Sequence, residues 1–178
     1  QALARQAHHD FLTGLPNRVA FLAALENAAG RVAIIAIDLD GFKLVNDRLG
    51  HHAGDSLLRQ VAERLTHCIG PHGTVARFGG DEFMLLRPVE DGPAGKDAAV
   101  ALAKRVVEAL SLPFFVAQEP ARIGASAGIL VTEFTAEAAG GAASLLEQVD
   151  RALYAAKRAG GGRWQWSSDE ATALDQAV

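Results

Sequence analysis

The sequence predicts an α/β (α+β) fold: a mostly antiparallel central sheet flanked by helices, of the ferredoxin-like or polymerase-palm type. Two observations carry this. Helical and strand-like patterns follow one another as helix, strand, helices, strand, strand, helix, strand, strand, helix, without the strict alternation of a parallel α/β sheet. A Gly79-Gly80 pair also stands between two β-prone runs, Thr74-Val75-Ala76 and Phe83-Met84-Leu85-Leu86, which reads as a tight antiparallel hairpin.

The elements follow in order. Residues 1–9 are polar and helix-compatible, like the end of a connecting helix, and residues 10–18 form a compact turn broken by Gly14 and Pro16. Residues 19–28 return to a helical pattern through Phe21, Leu22 and Leu25. The run Val32-Ala33-Ile34-Ile35-Ala36-Ile37 is continuously apolar and predicts a strand buried on both faces. It ends in Asp38-Leu39-Asp40-Gly41, and strand alternation turns Asp38 and Asp40 to one side. Residues 42–49 suit a short helix. Residues 50–54 interrupt it, and Asp55 opens an amphipathic helix to about Ile69, as a cap or first-turn acid. After the hairpin a strand ends near Arg87-Pro88, and residues 91–96 are a Gly/Pro loop. Residues 98–110 form a helix, and residues 114–116 and 122–131 are strand candidates. Residues 135–141 are a loop. Ser144-Leu145-Leu146-Glu147 has capping-box spacing ahead of a helix to about Ala159. Gly160-Gly161-Gly162 ends that helix, and Trp164-Gln165-Trp166 suits a short edge strand.

The chain has 178 residues, 49% hydrophobic and 21% charged, which is one ordinary globular domain with a real core. A net charge of -4 argues against a broad nucleic-acid surface and leaves room for a local basic pocket. One cysteine, Cys68, excludes an internal disulfide and a multi-cysteine zinc site, and suits a reducing compartment. No apolar run approaches a membrane span. The chain opens on Gln1 rather than Met and reads as a piece of a longer protein.

Two sources of carboxylate stand out: Asp38 and Asp40 at a strand end, and Asp81 and Glu82 at the hairpin. If the strands are neighbours, the four converge and can hold one or two Mg²⁺ with substrate phosphates completing the shell. Lys43 at a helix start, and Lys157 and Arg163 around the late glycine run, supply cations for a triphosphate. The sum points to phosphoryl or nucleotidyl transfer. Each residue also has a plainer role: solvated charge for the lysines and the hairpin acids, a turn for Asn46, orientation of a loop for Asp40. An EF-hand reading of Asp-x-Asp-Gly fails because the twelfth position is Leu49. The six histidines show no metal-ligand spacing. Cys68 and the two tryptophans read as packing residues.

Arg77-Phe78-Gly79-Gly80-Asp81-Glu82-Phe83 resembles the name-giving motif of the GGDEF domains, the diguanylate cyclases. Further blocks match in order and spacing: Asp10 through Arg18, Asp38-Leu39-Asp40-Gly41-Phe42-Lys43, Asn46-Asp47, Gly50 through Asp55, Ser126-Ala127-Gly128, and Asp150 through Lys157. The resemblance spans about residues 8–166. It implies condensation of two GTP into cyclic di-GMP and two pyrophosphates, by a homodimer whose subunits face each other with one GTP apiece. It implies Asp38, the Leu39 carbonyl, Asp81 and Glu82 as ligands of Mg²⁺ or Mn²⁺, with Asp81 and Glu82 catalytic. Asn46 and Asp55 would read guanine, whose N1–H and N2–H₂ suit acceptors. Phe42, Lys43, Lys157 and Arg163 would complete the substrate site. The domain would occupy residues 10–166, in the cytoplasm and without membrane contact. Residues 1–9 would lead from a sensor domain, and residues 167–178 toward an EAL phosphodiesterase domain.

Two departures qualify the resemblance. The family's inhibitory Arg-x-x-Asp product site falls here on Gly70-Pro71-His72-Gly73, which predicts no feedback through it. The family's Lys-x-x-Gly-Arg-Asn becomes Lys157-Arg158-Ala159-Gly160, then Gly161-Gly162 before Arg163, with Trp164 in place of asparagine. An alternative to the active cyclase is therefore a weak or inactive GTP-binding domain that regulates an attached EAL domain.

Overall fold

The long apolar run builds β1 (Arg31–Asp40), the central strand. In the computed structural model, which describes residues 7–134 and 140–167, Val32 through Ile37 and Leu39 are all buried. Before β1 lies α1 (Arg18–Glu26), capped by the Asn17 side chain accepting from the Ala20 N–H. After it come α2 (Phe42–Leu49), α3 (His51–Ile69), β2 (Thr74–Gly79), β3 (Glu82–Pro88) and α4 (Pro93–Ser111). The chain continues through β4 (Phe114–Val116), β5 (Glu119–Ala121), β6 (Gly124–Glu133), α5 (Gly141–Arg158) and β7 (Trp164–Trp166).

Five strands form one sheet in the order β2-β3-β1-β6-β7, and β4 and β5 form a separate hairpin. Every pairing in the large sheet is antiparallel except β6–β7 at the edge. Alternation along β1 splits the core in two. Ala33, Ile35, Ile37 and Leu39 pack with Leu57, Val61 and Leu65 of α3 and Leu102 and Val106 of α4. Val32, Ile34 and Ala36 pack with Phe21 and Leu25 of α1 and Leu146 and Val149 of α5. Helices on both faces are what a continuous apolar strand requires. Cys68, Trp164 and Trp166 lie against the first cluster as packing residues.

Several boundaries differ from expectation. α3 begins at His51, not Asp55, because only Gly50 carries a left-handed φ (89°) and Gly54 continues the helix. Asp55 is therefore in the second turn and caps nothing. α4 begins at Pro93, a residue suited to the first helical position, so the 91–96 loop is shorter than expected. α5 begins at Gly141, and Ser144 N–H bonds the Gly140 carbonyl, so Ser144 lies inside the helix and forms no capping box. The loop expected before it falls largely on 135–139, outside the described residues, as do residues 1–6 and 168–178. Strand β5 was not expected. Its hairpin turns through Ala117 and Gln118, both at positive φ (49° and 64°), without the Asn or Gly that usually marks such a turn.

Candidate active site

The hairpin β2–β3 lies beside β1, in register Asp38↔Glu82. Gly79 (φ 131°) and Gly80 (φ 52°) allow the reversal, and Leu39 N–H donates to the Asp81 carbonyl at 3.3 Å. Asp38, Asp81 and Glu82 thus gather at one end of the sheet. Asp40 makes its bonds elsewhere, although its charge still reaches Lys157. Its carboxylate accepts from Ser126 Oγ at 2.9 Å and from Gly162 N–H at 2.8 Å, which fits the plainer role of orienting a loop. Alternation does put Asp38 and Asp40 on one side, but Asp40 is spent on holding the glycine run that follows α5. Gly161 packs so closely on Asp40 that a Cβ would sit 2.9 Å from its oxygen.

Lys157, near the end of α5, is the cation of the cluster. Its Nζ lies 2.6 Å from Asp38 Oδ2. Burial alone would lower its pKa, but the bond to Asp38 and the charges of Asp38, Asp40 and Asp81 outweigh this and raise it. Burial, then the Asp38 charge, pushes the Asp81 carboxyl above the usual range. Glu82 is solvent-exposed on one side. Partial burial, then the charges of Asp38 and Asp150, raises it as well. Asp38 Oδ1 is buried and has no hydrogen-bond partner. Asp38, Asp81, Glu82 and the nearby Asp150 outnumber the two cations whose charges reach the cluster, Lys157 and Arg18. A hard divalent cation with oxygen ligands fits that deficit. Among the described residues, no three acid, histidine or cysteine side chains lie close enough together to hold a metal ion by themselves, so such a cation would need further oxygens, from backbone or substrate.

The opening turn shapes the hairpin. Asp10 accepts from Thr13 N–H (2.8 Å) and Thr13 Oγ1 (2.7 Å), and pairs with Arg77 at 2.9 Å. Arg77 in turn donates to the Gly80 carbonyl from Nε (3.0 Å) and Nη2 (2.8 Å). Both charged side chains are largely buried. This clamp ties two segments 67 residues apart. Both belong to motifs quoted from the sequence, but nothing in their spacing announced the pairing.

The remaining predicted residues lie along α2, α3 and the glycine run. Lys43 is exposed in the first turn of α2 and pairs with Asp47 at 2.7 Å. The half-buried Phe42 ring packs against the core at that helix start. Asn46 is in α2 and Asp55 in α3, both half-buried, and the Asn46 Oδ1 atom is buried without a hydrogen-bond partner. Arg163 folds back on its own loop, donating from Nε to the Gly161 carbonyl at 3.2 Å, and is not drawn into the carboxylate cluster. Of the cluster, Glu82 is exposed and Asp38 and Asp81 are half-buried. A cleft lined by Leu12, Leu15, Arg59, Ala62, Thr66 and Pro71 contains none of its carboxylates.

Residues 7–163 match the family described as "Diguanylate cyclase, GGDEF domain". The chain is 41% identical over 165 residues to MucR of Pseudomonas aeruginosa, named a bifunctional diguanylate cyclase/cyclic di-GMP phosphodiesterase. The match covers 89% of this chain and 23% of MucR. It is 38% identical over 169 residues to DgcE of Escherichia coli, named a probable diguanylate cyclase, covering 90% of this chain and 15% of DgcE. The chain thus spans less than a quarter of the length of either relative. Among solved structures, the GGDEF domain of TpbB (YfiN) from Pseudomonas aeruginosa superposes with a TM-score of 0.80 at 33% identity, covering 95% of this chain and 99% of that one. DgcB of Caulobacter crescentus, solved with c-di-GMP, gives 0.77 at 27% identity over 93% and 88%. With the family match covering most of its length and the motif on a glycine hairpin beside β1, the chain belongs to the GGDEF domain family of diguanylate cyclases.

Proposed function

We propose that this domain, at residues 10–166, is an active diguanylate cyclase that condenses two GTP into cyclic di-GMP and two pyrophosphates. The observation that carries this is the Lys157–Asp38 pair beside the Asp81-Glu82 hairpin, with a buried Asp38 oxygen left unpartnered. Asp38, the Leu39 carbonyl, Asp81 and Glu82 would hold one or two Mg²⁺ (or Mn²⁺), which supply charge neutralisation and polarise the α-phosphate. Asn46 and Asp55 accept hydrogen bonds from guanine. Lys157 and Lys43 bind the phosphates, with the α2 backbone N–H groups beside Phe42, and Arg163 reaches them by rearrangement of its loop. The 3′-oxygen of one GTP attacks the α-phosphorus of the other. Its proton passes to Glu82, and the bond to pyrophosphate breaks. A second such exchange closes the ring.

The exposure of Glu82 leaves room for a site completed by a second subunit of a homodimer, each holding one GTP. In the full protein we place a sensor domain before residue 10 and an EAL domain after residue 166, with this domain in the cytoplasm. No described helix is long and apolar enough to cross a membrane. A second reading, a GTP-binding domain that regulates an attached phosphodiesterase, is favoured by one relative. PdeR of Escherichia coli, named a cyclic di-GMP phosphodiesterase, is 34% identical over 163 residues.

The deciding experiment is cyclic di-GMP formation from GTP and Mg²⁺ across a range of protein concentrations, with Asp81→Ala as control. Specific activity that rises steeply with concentration, and falls at least a thousandfold (about 10³) in the variant, is expected. GTP binding without product would favour the regulatory reading. Neither binding nor product would overturn both.

A further inference from the structure

We infer that Gly54 is a positioning residue for base recognition, holding open the space that the Asn46 amide oxygen occupies. The inference rests on the proposed contact between Asn46 and guanine. α2 and α3 are joined through Gly50, whose N–H bonds the Asn46 carbonyl at 2.8 Å. One turn into α3, Gly54 lies directly against the Asn46 side chain, and a Cβ there would fall on Oδ1. Gly54 has no positive φ, so its backbone does not require glycine. Alanine would favour the helix more. What glycine supplies is the space.

The oxygen so accommodated is buried and has no hydrogen-bond partner within the protein. A buried acceptor without a donor is costly, and its cost is relieved by any ligand that brings one. Guanine presents a 2-amino group beside N1–H. Hypoxanthine keeps N1–H and lacks the 2-amino group. The next residue of α3 is Asp55, a second acceptor for the same edge. Gly54 thus sets selectivity for the 2-amino group through Asn46, without touching the nucleotide.

Calorimetric titration of GDP and IDP tests this, since neither can lose pyrophosphate in a condensation. The wild-type protein should bind GDP about tenfold more tightly than IDP, the worth of one hydrogen bond to a buried acceptor. Gly54→Ala should bring the ratio to within about twofold by weakening GDP alone. Asn46→Ala should do the same, and the double variant should add nothing to either. A cooperatively melting Gly54→Ala that keeps the wild-type ratio overturns the inference and leaves the guanine reading standing. Wild-type protein that binds both nucleotides equally, or neither, overturns the guanine reading and the inference with it. Should Gly54→Ala fail to melt cooperatively, the Asn46→Ala/Gly54→Ala protein, which lacks the overlap, is expected to recover the transition. Failure to recover would show that Gly54 serves helix packing alone.

Discussion

At the scale of the residue, Lys157 is paired with Asp38 and is also proposed to meet the substrate. Its ammonium sits 2.6 Å from Asp38 Oδ2, on the carboxylate we assign to a metal, and we also assign it to substrate phosphate. Removing it vacates one Asp38 oxygen and deletes a competing positive charge. Lys157→Met should therefore strengthen Mn²⁺ binding to the nucleotide-free protein by about three- to tenfold, read by electron paramagnetic resonance. The same variant should weaken GTP binding by about tenfold or more, read by calorimetry. Opposite signs are the informative result, because general damage to the site would weaken both. Asp40 carries the complementary lesson. Its position beside Asp38 suggested a ligand, or a residue that orients a loop. Its bonds to Ser126 and Gly162 favour the second.

At the scale of the element, the hairpin and the opening turn behave as one unit through Asp10 and Arg77. Burial alone would raise the Asp10 carboxyl, but its bonds to Thr13 and the Arg77 charge lower it below the usual range. A carboxyl depressed by folding stabilises the protein fully above its unfolded pKa of about 3.9. The contribution is lost as pH falls through the lower folded value. Asp10→Ala should cost about 2–4 kcal/mol in denaturant unfolding at pH 7, and the gap from wild type should narrow below about pH 4. Between α5 and the sheet the constraint is steric. A Cβ on Gly128 of β6 would meet the Val149 carbonyl and the Leu153 N–H. Gly128→Ala should push α5 outward, lowering stability by about 1–3 kcal/mol and displacing Lys157 from Asp38. Thermal melts and GTP affinity report the two effects.

At the scale of the whole molecule, the end of α3 bears on feedback by the product. The positions that carry the family's inhibitory arginine and aspartate are Gly70, which caps α3 at φ 74°, and Gly73. Neither offers a charge to a cyclic dinucleotide. Calorimetry with cyclic di-GMP should show no micromolar binding at Gly70–Gly73, and the initial rate of product formation should be unchanged by added product. Micromolar affinity abolished by a substitution at Pro71 or His72 would refute this.

Local signals made the fold legible. The apolar run of β1, the glycine hairpin and the amphipathic stripes depend on neighbours within a few residues, and each led to its element. Where two residue types pull alike, the boundaries slipped: Gly54 resembles a breaker but serves close packing, and Ser144 resembles a cap but lies inside α5. Strand β5 was missed because Ala117 and Gln118 adopt a turn that other residues usually mark. The family, the hairpin and the acidic, amide and lysine residues of the candidate site were determined by the sequence alone. The tertiary structure decided which of them meet. The Asp10–Arg77 clamp, the engagement of Asp40 by the glycine run, the Lys157–Asp38 pair and the fit of Asn46 against Gly54 join segments distant in the chain or depend on how two helices pack. Pairing of that kind is set by sheet register and helix contact, which no local pattern of residues encodes.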